Sequence, residues 1–294
     1  MTWHLFGNIL TSYGTAANNR GENEGNITTL QKLLWKGEVH TTISAEAIRW
    51  ALRYYWQTAN DQHQVNRRWD DVLNDNIWQN AAFDDGLYID DDVLGFMKAE
   101  GAKVEENDAS GGKGDGVKSE AGEPKQRGKK APKLKGTTTA KRGVLEVTRA
   151  VSTLPFEGDI TFNAASGQKN RTSLYGTEVH ATRYQYGFAI TPDRLKEKSR
   201  IVAVLDGLSA LGEVAGNHSR FLYDFSPRLL YCFEEEDQKI SVPDLVRRIE
   251  AGDIDPKELW VAGAIATTEE GEKLKDLGVN ISKGVKSAVE SVNQ

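Results

Sequence analysis

Hydrophobic residues change their spacing several times along this chain, and each change marks an element. Thr2 to Tyr13 has the β-branched and aromatic content of a strand, interrupted at Gly7, and Thr15 to Gly25 (TAANNRGENEG) is a polar Asn/Gly loop. From Ser44 to Gln57 the period shifts to three and four. Ala47, Ile48, Ala51, Leu52 and Tyr55 then share one face, with Ser44 as N-cap and Glu46 in the first turn, which predicts an amphipathic helix. Val144 to Val151 alternates like a half-buried strand, Phe162 to Val179 is polar and turn-rich, and Tyr184 to Ile190 is strand-like again. Pro192 opens a helical segment running to about Leu211. Phe221 to Phe233 predicts a strand pair or one bent strand, Ser241 to Ala251 a helix capped by Ser241, and Leu259 to Ala266 a final strand. Alternating strands and helices without a Gly-rich nucleotide fingerprint predict an α+β sheet with helices on one face. No internal repeat of solenoid length is present.

Charge comes in blocks. Between Asp84 and Asp108 there are nine acids against two bases, and between Lys113 and Arg142 ten bases against three acids. Residues 100–142 are rich in Gly, Lys and Glu and poor in large apolar side chains, so burial cannot offset the entropy of ordering them. They read as a flexible insertion, either a solvated low-complexity loop or a basic arm that touches nucleic acid. The acidic run Asp84, Asp85, Asp90, Asp91, Asp92 reads as a solvated surface, since its spacing misses the calcium-loop pattern.

Composition narrows the function classes. The 294 residues carry a net charge of −6, with 38% hydrophobic and 27% charged residues, an ordinary globular balance. Net acidity argues against coating nucleic acid by bulk charge but leaves room for a local basic groove. One cysteine, Cys232, excludes an intramolecular disulfide and a multi-cysteine zinc site. The five histidines (His4, His40, His63, His180, His218) lie far apart with no HExxH partner, so neither a metal nor a cofactor is expected. No basic leader and no apolar run near the ~20 residues that span a bilayer point to a cytoplasmic protein. No spacing assembles a nucleophile, a base and an oxyanion hole, so no enzyme chemistry is expected.

What remains is a set of groups suited to gripping a phosphate backbone. Arg49 and Arg53 are four apart on the predicted helix and project one turn from each other, about 6 Å, with forks that match phosphate oxygens. The helix start near Ser44 offers backbone N–H groups to an anion. Both arginines are equally consistent with solvation or with pairing to the acidic block. A second cluster, Lys169, Asn170 and Arg171 in NAASGQKNRTSLYG, fits the tip of an extended hairpin between Gly167 and Gly176. A third, Asn217, His218 and Arg220 in GNHSRF, fits either a loop that contacts RNA backbone and 2′-hydroxyls or an ordinary helix C-cap and turn.

Several segments together resemble one family, the DevR-type backbone subunit of type I CRISPR effector (Cascade) complexes, with subtype I-B as the nearest pattern. They are NNRGENEGN (Asn18 to Asn26), GEVHTTISAEAIRWALR (Gly37 to Arg53), NRTSLYGTEVHATRYQYGFAITP (Asn170 to Pro192) and, most specifically, LDGLSALGEVAGNHSRFLYDFSP (Leu205 to Pro227). The resemblance skips the insertion. It implies an α+β, RRM-like (ferredoxin-like) palm formed by 1–99 and 143–294, enlarged by finger-like and thumb-like parts, with a thumb hairpin at about 155–182. It implies a non-catalytic role: copies oligomerise along a guide (CRISPR) RNA, a thumb displaces a base at regular intervals, and the filament supports pairing of the guide with a target DNA strand. The implied partners are that RNA, the target strand, further copies and other Cascade subunits. The implied RNA-binding residues are Asn18, Asn19, Arg20, Ser44, Arg49, Arg53, Lys169, Asn170, Arg171, Asn217, His218 and Arg220. Tyr184, Tyr186 and Phe188 lack the full RNP1 pattern, so base readout by that strand is not expected.

Two alternatives stand beside this. Related backbone subunits of type III complexes cut RNA with an aspartate and a metal, but the loop after the first strand here holds Asn18, Asn19, Glu22 and Glu24 and no aspartate. The other is a free-standing nucleic-acid-binding autoregulator.

Overall fold

The computed structural model describes residues 3–16, 20–59, 64–84, 86–100, 137–164, 174–212, 214, 227–236 and 245–292. The chain divides into two compact units, Met1–Gly95 with Arg142–Gln294, and Phe96–Lys141. In the smaller unit strands Gly95–Glu100 and Thr137–Arg142 pair at its margins, and residues 101–136 of the expected insertion lie outside the described residues.

The larger unit is built on a nine-stranded sheet. Its strands in chain order are β1 (Trp3–Thr11), β2 (Lys32–Trp35), β3 (Glu38–Ile43), β4 (Leu145–Val147), β5 (Ala150–Ser152), β6 (Tyr184–Ile190), β7 (Pro227–Glu236), β8 (Leu259–Gly263) and β9 (Asn280–Ser282). Across the sheet they run β9-β8-β7-β1-β6-β5-β3-β2, with β4 also paired to β6. β1 is central and antiparallel to both β6 and β7. It runs unbroken through Gly7, where the sequence predicts an interruption. The glycine faces Phe188, and an added Cβ would lie 2.2 Å from that ring, so the missing side chain makes room for the aromatic.

Alternation decides which side each strand buries. Leu5 and Ile9 of β1 and Tyr184, Tyr186, Phe188 and Ile190 of β6 enter one core, where α1 (Ala45–Ala59) and α3 (Arg200–Ser209) supply Ile48, Leu52, Trp56, Val204, Leu205 and Leu208. Between them α2 (Ile89–Val93) adds Ile89 and Val93. The two long helices approach closely because Gly207 has no side chain: a Cβ there would stand 2.4 Å from Leu52 Cδ1. The Trp56 indole donates to the Ala203 carbonyl at 3.0 Å, which lets this large ring be fully buried.

Helices cover both faces, not one as expected. The α4 (Leu245–Glu250), α5 (Glu269–Asp276) side holds a second, smaller core of Ile254, Leu259, Val261, Leu274 and Val279, against which Phe6 of β1 and Ile249 pack. The last helix, α6 (Val285–Val292), returns to the first core through Val289. The strand expected over 144–151 is two short ones, broken at Thr148 and Arg149, where Thr148 exchanges hydrogen bonds with Gly187. The segment after Pro192 opens as a single 3-10 turn before α3 begins at Arg200.

A second, five-stranded sheet takes residues expected as loop. Asp159–Ala164 pairs antiparallel with Leu174–Thr182, followed in the sheet by Ile27–Leu30 and Arg20–Glu24, while Gly14–Ala16 pairs with the far end of Leu174–Thr182. At the outer margin of the main sheet, β2 and β3 form a hairpin whose turn, Lys36 and Gly37, has both φ angles positive (51° and 88°). Leu34 and Trp35 on that marginal strand are 73% and 50% exposed.

Candidate nucleic-acid interface

The helix predicted to carry two phosphate-gripping arginines is present, and Ser44 caps it by accepting from the Ala47 N–H at 3.2 Å. That bond uses one of the donors an anion would need. Arg49 is partly exposed and pairs with Glu46 at 3.0 Å, one turn back on its own helix. Arg53 requires a correction. Its Nε donates to Asp90 at 3.1 Å, and its side chain is only 14% exposed. Burial, only partly offset by Asp90, holds its pKa below the ordinary arginine value. A guanidinium so committed is not available to phosphate.

The cause lies in the acidic run, which is not the solvated surface expected. Asp90, Asp91 and Asp92 of α2 are all buried. Asp90 accepts from the Asn66 and Arg67 backbone N–H groups as well as from Arg53, and Asp91 accepts from the Asn66 amide. Asp92 accepts from Arg200 Nη1 at 2.8 Å and from the Lys196 N–H, while Arg200 Nη2 also reaches the Gly86 and Leu87 carbonyls. These carboxylates clamp residues 64–93 onto α1 and α3. Asp84 stays outside, held below the usual aspartate range by the Asn80 amide. Among the described residues no three His, Cys, Asp or Glu side chains gather to hold a metal ion.

On the opposite side of the central strands lies a polar strip that the sequence analysis missed. Asn8 and Leu10 of β1 stand beside Gly187 and Gln185 of β6, and Gln185 and Val151 are matched in turn with each other and with Thr42. All point away from the α1/α3 core. Arg149, exposed at the break between β4 and β5, donates to Thr42 Oγ1 at 3.2 Å and to Gln31 Oε1 at 3.1 Å. Of this row Gln185 and Arg149 are exposed, while Asn8 and Thr42 are buried behind them, Asn8 Oδ1 accepting from the Gln185 amide. The exposed guanidinium and primary amide can donate to phosphate oxygens, and the amide can accept from sugar hydroxyls. The signal was available in the alternation of YQYGFAI, whose odd-numbered positions face away from the buried aromatics. Tyr184, Tyr186 and Phe188 themselves point into the core, and burial raises the Tyr186 phenol's pKa, so they offer no stacking surface to a base.

The remaining predicted residues are placed only in part. Arg20 lies on the strand Arg20–Glu24, opposite Leu30. Asn18, Asn19, Lys169, Asn170, Arg171, Asn217, His218 and Arg220 lie outside the described residues. The strands flanking residues 165–173 do form an antiparallel pair, Ala164 opposite Leu174.

No family model matches the chain. Its fold is similar over 98% of both chains to two solved proteins described as CRISPR RNA-guided surveillance complexes, one of them pre-nicking. The TM-scores are 0.57 and 0.53 at 11% and 12% identity, which supports the fold and nothing finer. In sequence the chain is 44% identical over 321 aligned residues, 98% of its own length and 96% of the other's, to a Myxococcus xanthus protein described as CRISPR-associated protein Cas7/Cst2/DevR. Identity at that level from end to end makes this chain a member of the Cas7/Cst2/DevR family of CRISPR-associated proteins.

Proposed function

We propose that the chain is a non-catalytic backbone subunit of a type I, subtype I-B, Cascade complex. Its copies line up along a guide RNA and hold that RNA for pairing with a target DNA strand. The observation that carries this reading is the end-to-end match to the Myxococcus xanthus relative. The topology supports an RRM-like palm. In chain order β1, α1, β5, β6, α3 and β7 follow the β-α-β-β-α-β pattern, the strands stand in the order β7-β1-β6-β5, and both helices share one core. The exposed Gln185 and Arg149 of the strip are then the part of the palm surface that follows the RNA backbone. Arg20, Arg49, Lys169, Asn170, Arg171, Asn217, His218, Arg220, Asn18 and Asn19 supply further contacts to the RNA.

Such a surface reads shape and leaves sequence to base pairing. With a net charge of −6 a single subunit binds RNA weakly and is sensitive to salt, each phosphate contact releasing about 0.7 counterion. Neighbouring copies supply the cooperativity, and the guide and its target meet the complex in the cytoplasm. The buried aspartates of α2 are taken up by protein donors, which supports a role without chemistry. The test is to co-express the chain with its neighbouring genes and sequence the RNA that purifies with it. Short RNAs of uniform length are expected. Tight, non-cooperative binding of the isolated monomer to random RNA at physiological salt would sink the proposal, as would metal-dependent cutting of complementary RNA.

A further inference from the structure

The chain passes between the nine-stranded and the five-stranded sheet of the larger unit four times: from β1 into Gly14–Ala16, from Leu30 to Lys32, from β5 into Asp159–Ala164, and from Thr182 into β6. Side-chain bonds tie all four passages together. Thr11 Oγ1 accepts from the Tyr184 N–H at 3.0 Å, and the Tyr13 hydroxyl donates to the Ala181 carbonyl at 3.1 Å. The Glu178 carboxylate accepts from the Leu30 N–H at 2.8 Å and takes Lys32 Nζ on both oxygens, at 2.8 and 2.6 Å. Lys32 Nζ in turn sits 4.3 Å above the Phe156 ring, and that ring meets His180 edge to face at 5.4 Å. Thr41 Oγ1 bridges His180 Nδ1 at 2.8 Å and the Tyr184 hydroxyl at 2.9 Å. Behind it, Ser152 Oγ accepts from the Thr41 N–H, and His40 Nδ1 lies 2.8 Å from the Ser152 carbonyl oxygen.

The chemistry of this joint differs from that of a core. Apolar contact is non-directional and lets two surfaces slide or roll. Hydrogen bonds lose most of their strength when bent, so a connected, satisfied polar network holds one relative orientation. Glu178, His180 and Thr182 alternate on one side of the same strand, so the network grips that strand at successive positions along its length.

We infer that Glu178 and His180 are positioning residues that set the angle at which the hairpin Asp159–Ala164/Leu174–Thr182 stands on the main sheet. By fixing that angle identically in every copy they fix the interval at which successive hairpins meet the guide strand. This second step rests on the proposed guide-RNA role, whereas the first stands on the joint alone.

Two readouts separate the steps. In the free protein, spin labels at Ala164→Cys and Lys283→Cys in a Cys232→Ser background report the distance between hairpin and palm. One narrow distribution is expected, broadened by Glu178→Gln, by His180→Asn and by the more exposed, fold-safe Lys32→Met. In the RNA-loaded complex, chemical reactivity of the guide nucleotides is expected to repeat at a regular interval. The same variants lose the contrast of that repeat while retaining as much RNA as the parent. Variants with the parental distance distribution and the parental repeat overturn the positioning role and leave the guide-RNA role standing. A parent that carries no guide RNA overturns the proposed function, and the free-protein distances still decide whether the joint sets the angle.

Discussion

The α1/α3 core and the inner part of the joint, at Thr41, Ser152, His180 and Tyr184, are both buried, yet they are held by opposite means. In the core, Leu5, Ile9, Leu52, Trp56 and Phe188 meet through apolar surface, and the linked polar groups lie to one side of it, at the α2 carboxylates. In the joint, Thr41, His180, Tyr184, Ser152 and His40 form a linked hydrogen-bonded chain extended outward by Lys32 and Glu178. The first arrangement maximises stability per residue, and the second spends burial on direction. The proposed guide-RNA role calls for both: a body that stays folded and a hairpin that every copy holds alike.

The contrast can be broken at graded cost. The largest effect is expected from Trp56→Ala, which empties the core between α1 and α3 and lowers unfolding free energy by about 3–5 kcal/mol, read by denaturant titration. Thr41→Val keeps the shape but leaves His180 and the Tyr184 hydroxyl each short of a partner, for about 1–3 kcal/mol in the same titration. If Thr41→Val proved as costly as Trp56→Ala, the division between stability and direction would fall.

Acidity probes the joint more gently. Burial lowers the His180 pKa below its ordinary 6.5, with repulsion from His40 adding to the effect, so the unfolded chain binds that proton more readily than the folded one. His180 therefore contributes no pH dependence well above 6.5. Its contribution turns unfavourable as pH falls through 6.5 toward the lower folded value. Thermal midpoints across that window should decline more steeply in the parent than in His180→Asn, while Trp56→Ala should leave the slope unchanged. Smallest of all in stability is Arg149→Ala, at most about 0.5 kcal/mol for an exposed side chain, yet it should weaken RNA retention and lower its salt dependence. Such a split between folding and binding marks the polar strip as a surface for contact.

How much of this could be read from the chain depended on distance along it. α1 and β6 were legible because their periods are local: Ile48, Leu52 and Tyr55 recur within one helix, and Tyr184, Tyr186 and Phe188 within one strand. The fate of Arg53 was not, since its partner lies 37 residues away on a five-residue helix too short to show a period. The acidic run looked solvated because charge in sequence gives no hint of the backbone N–H groups of Asn66 and Arg67 that receive it. The histidines were set aside as scattered, yet His40 and His180 end in one network through Thr41, and that closeness exists only once the sheets form. Residues 15–25 read as loop because their Gly and Asn content outweighs their strand propensity. Pairing of Thr15 and Ala16 with Leu174–Thr182, far along the chain, and of Arg20–Glu24 with Ile27–Leu30, itself paired to that strand, reverses that balance.

The Lys36–Gly37 turn and the short strand before it have a practical consequence for anyone purifying this molecule. Among the described residues no further strand pairs with this margin, and with Leu34 and Trp35 exposed beside it the margin is a template for strand addition once protein becomes concentrated. Self-association of the isolated protein through that margin, read by light scattering against concentration, is the expected outcome. A single lysine in place of Leu34 should suppress it, making the substitution a useful starting point for crystallisation or long storage.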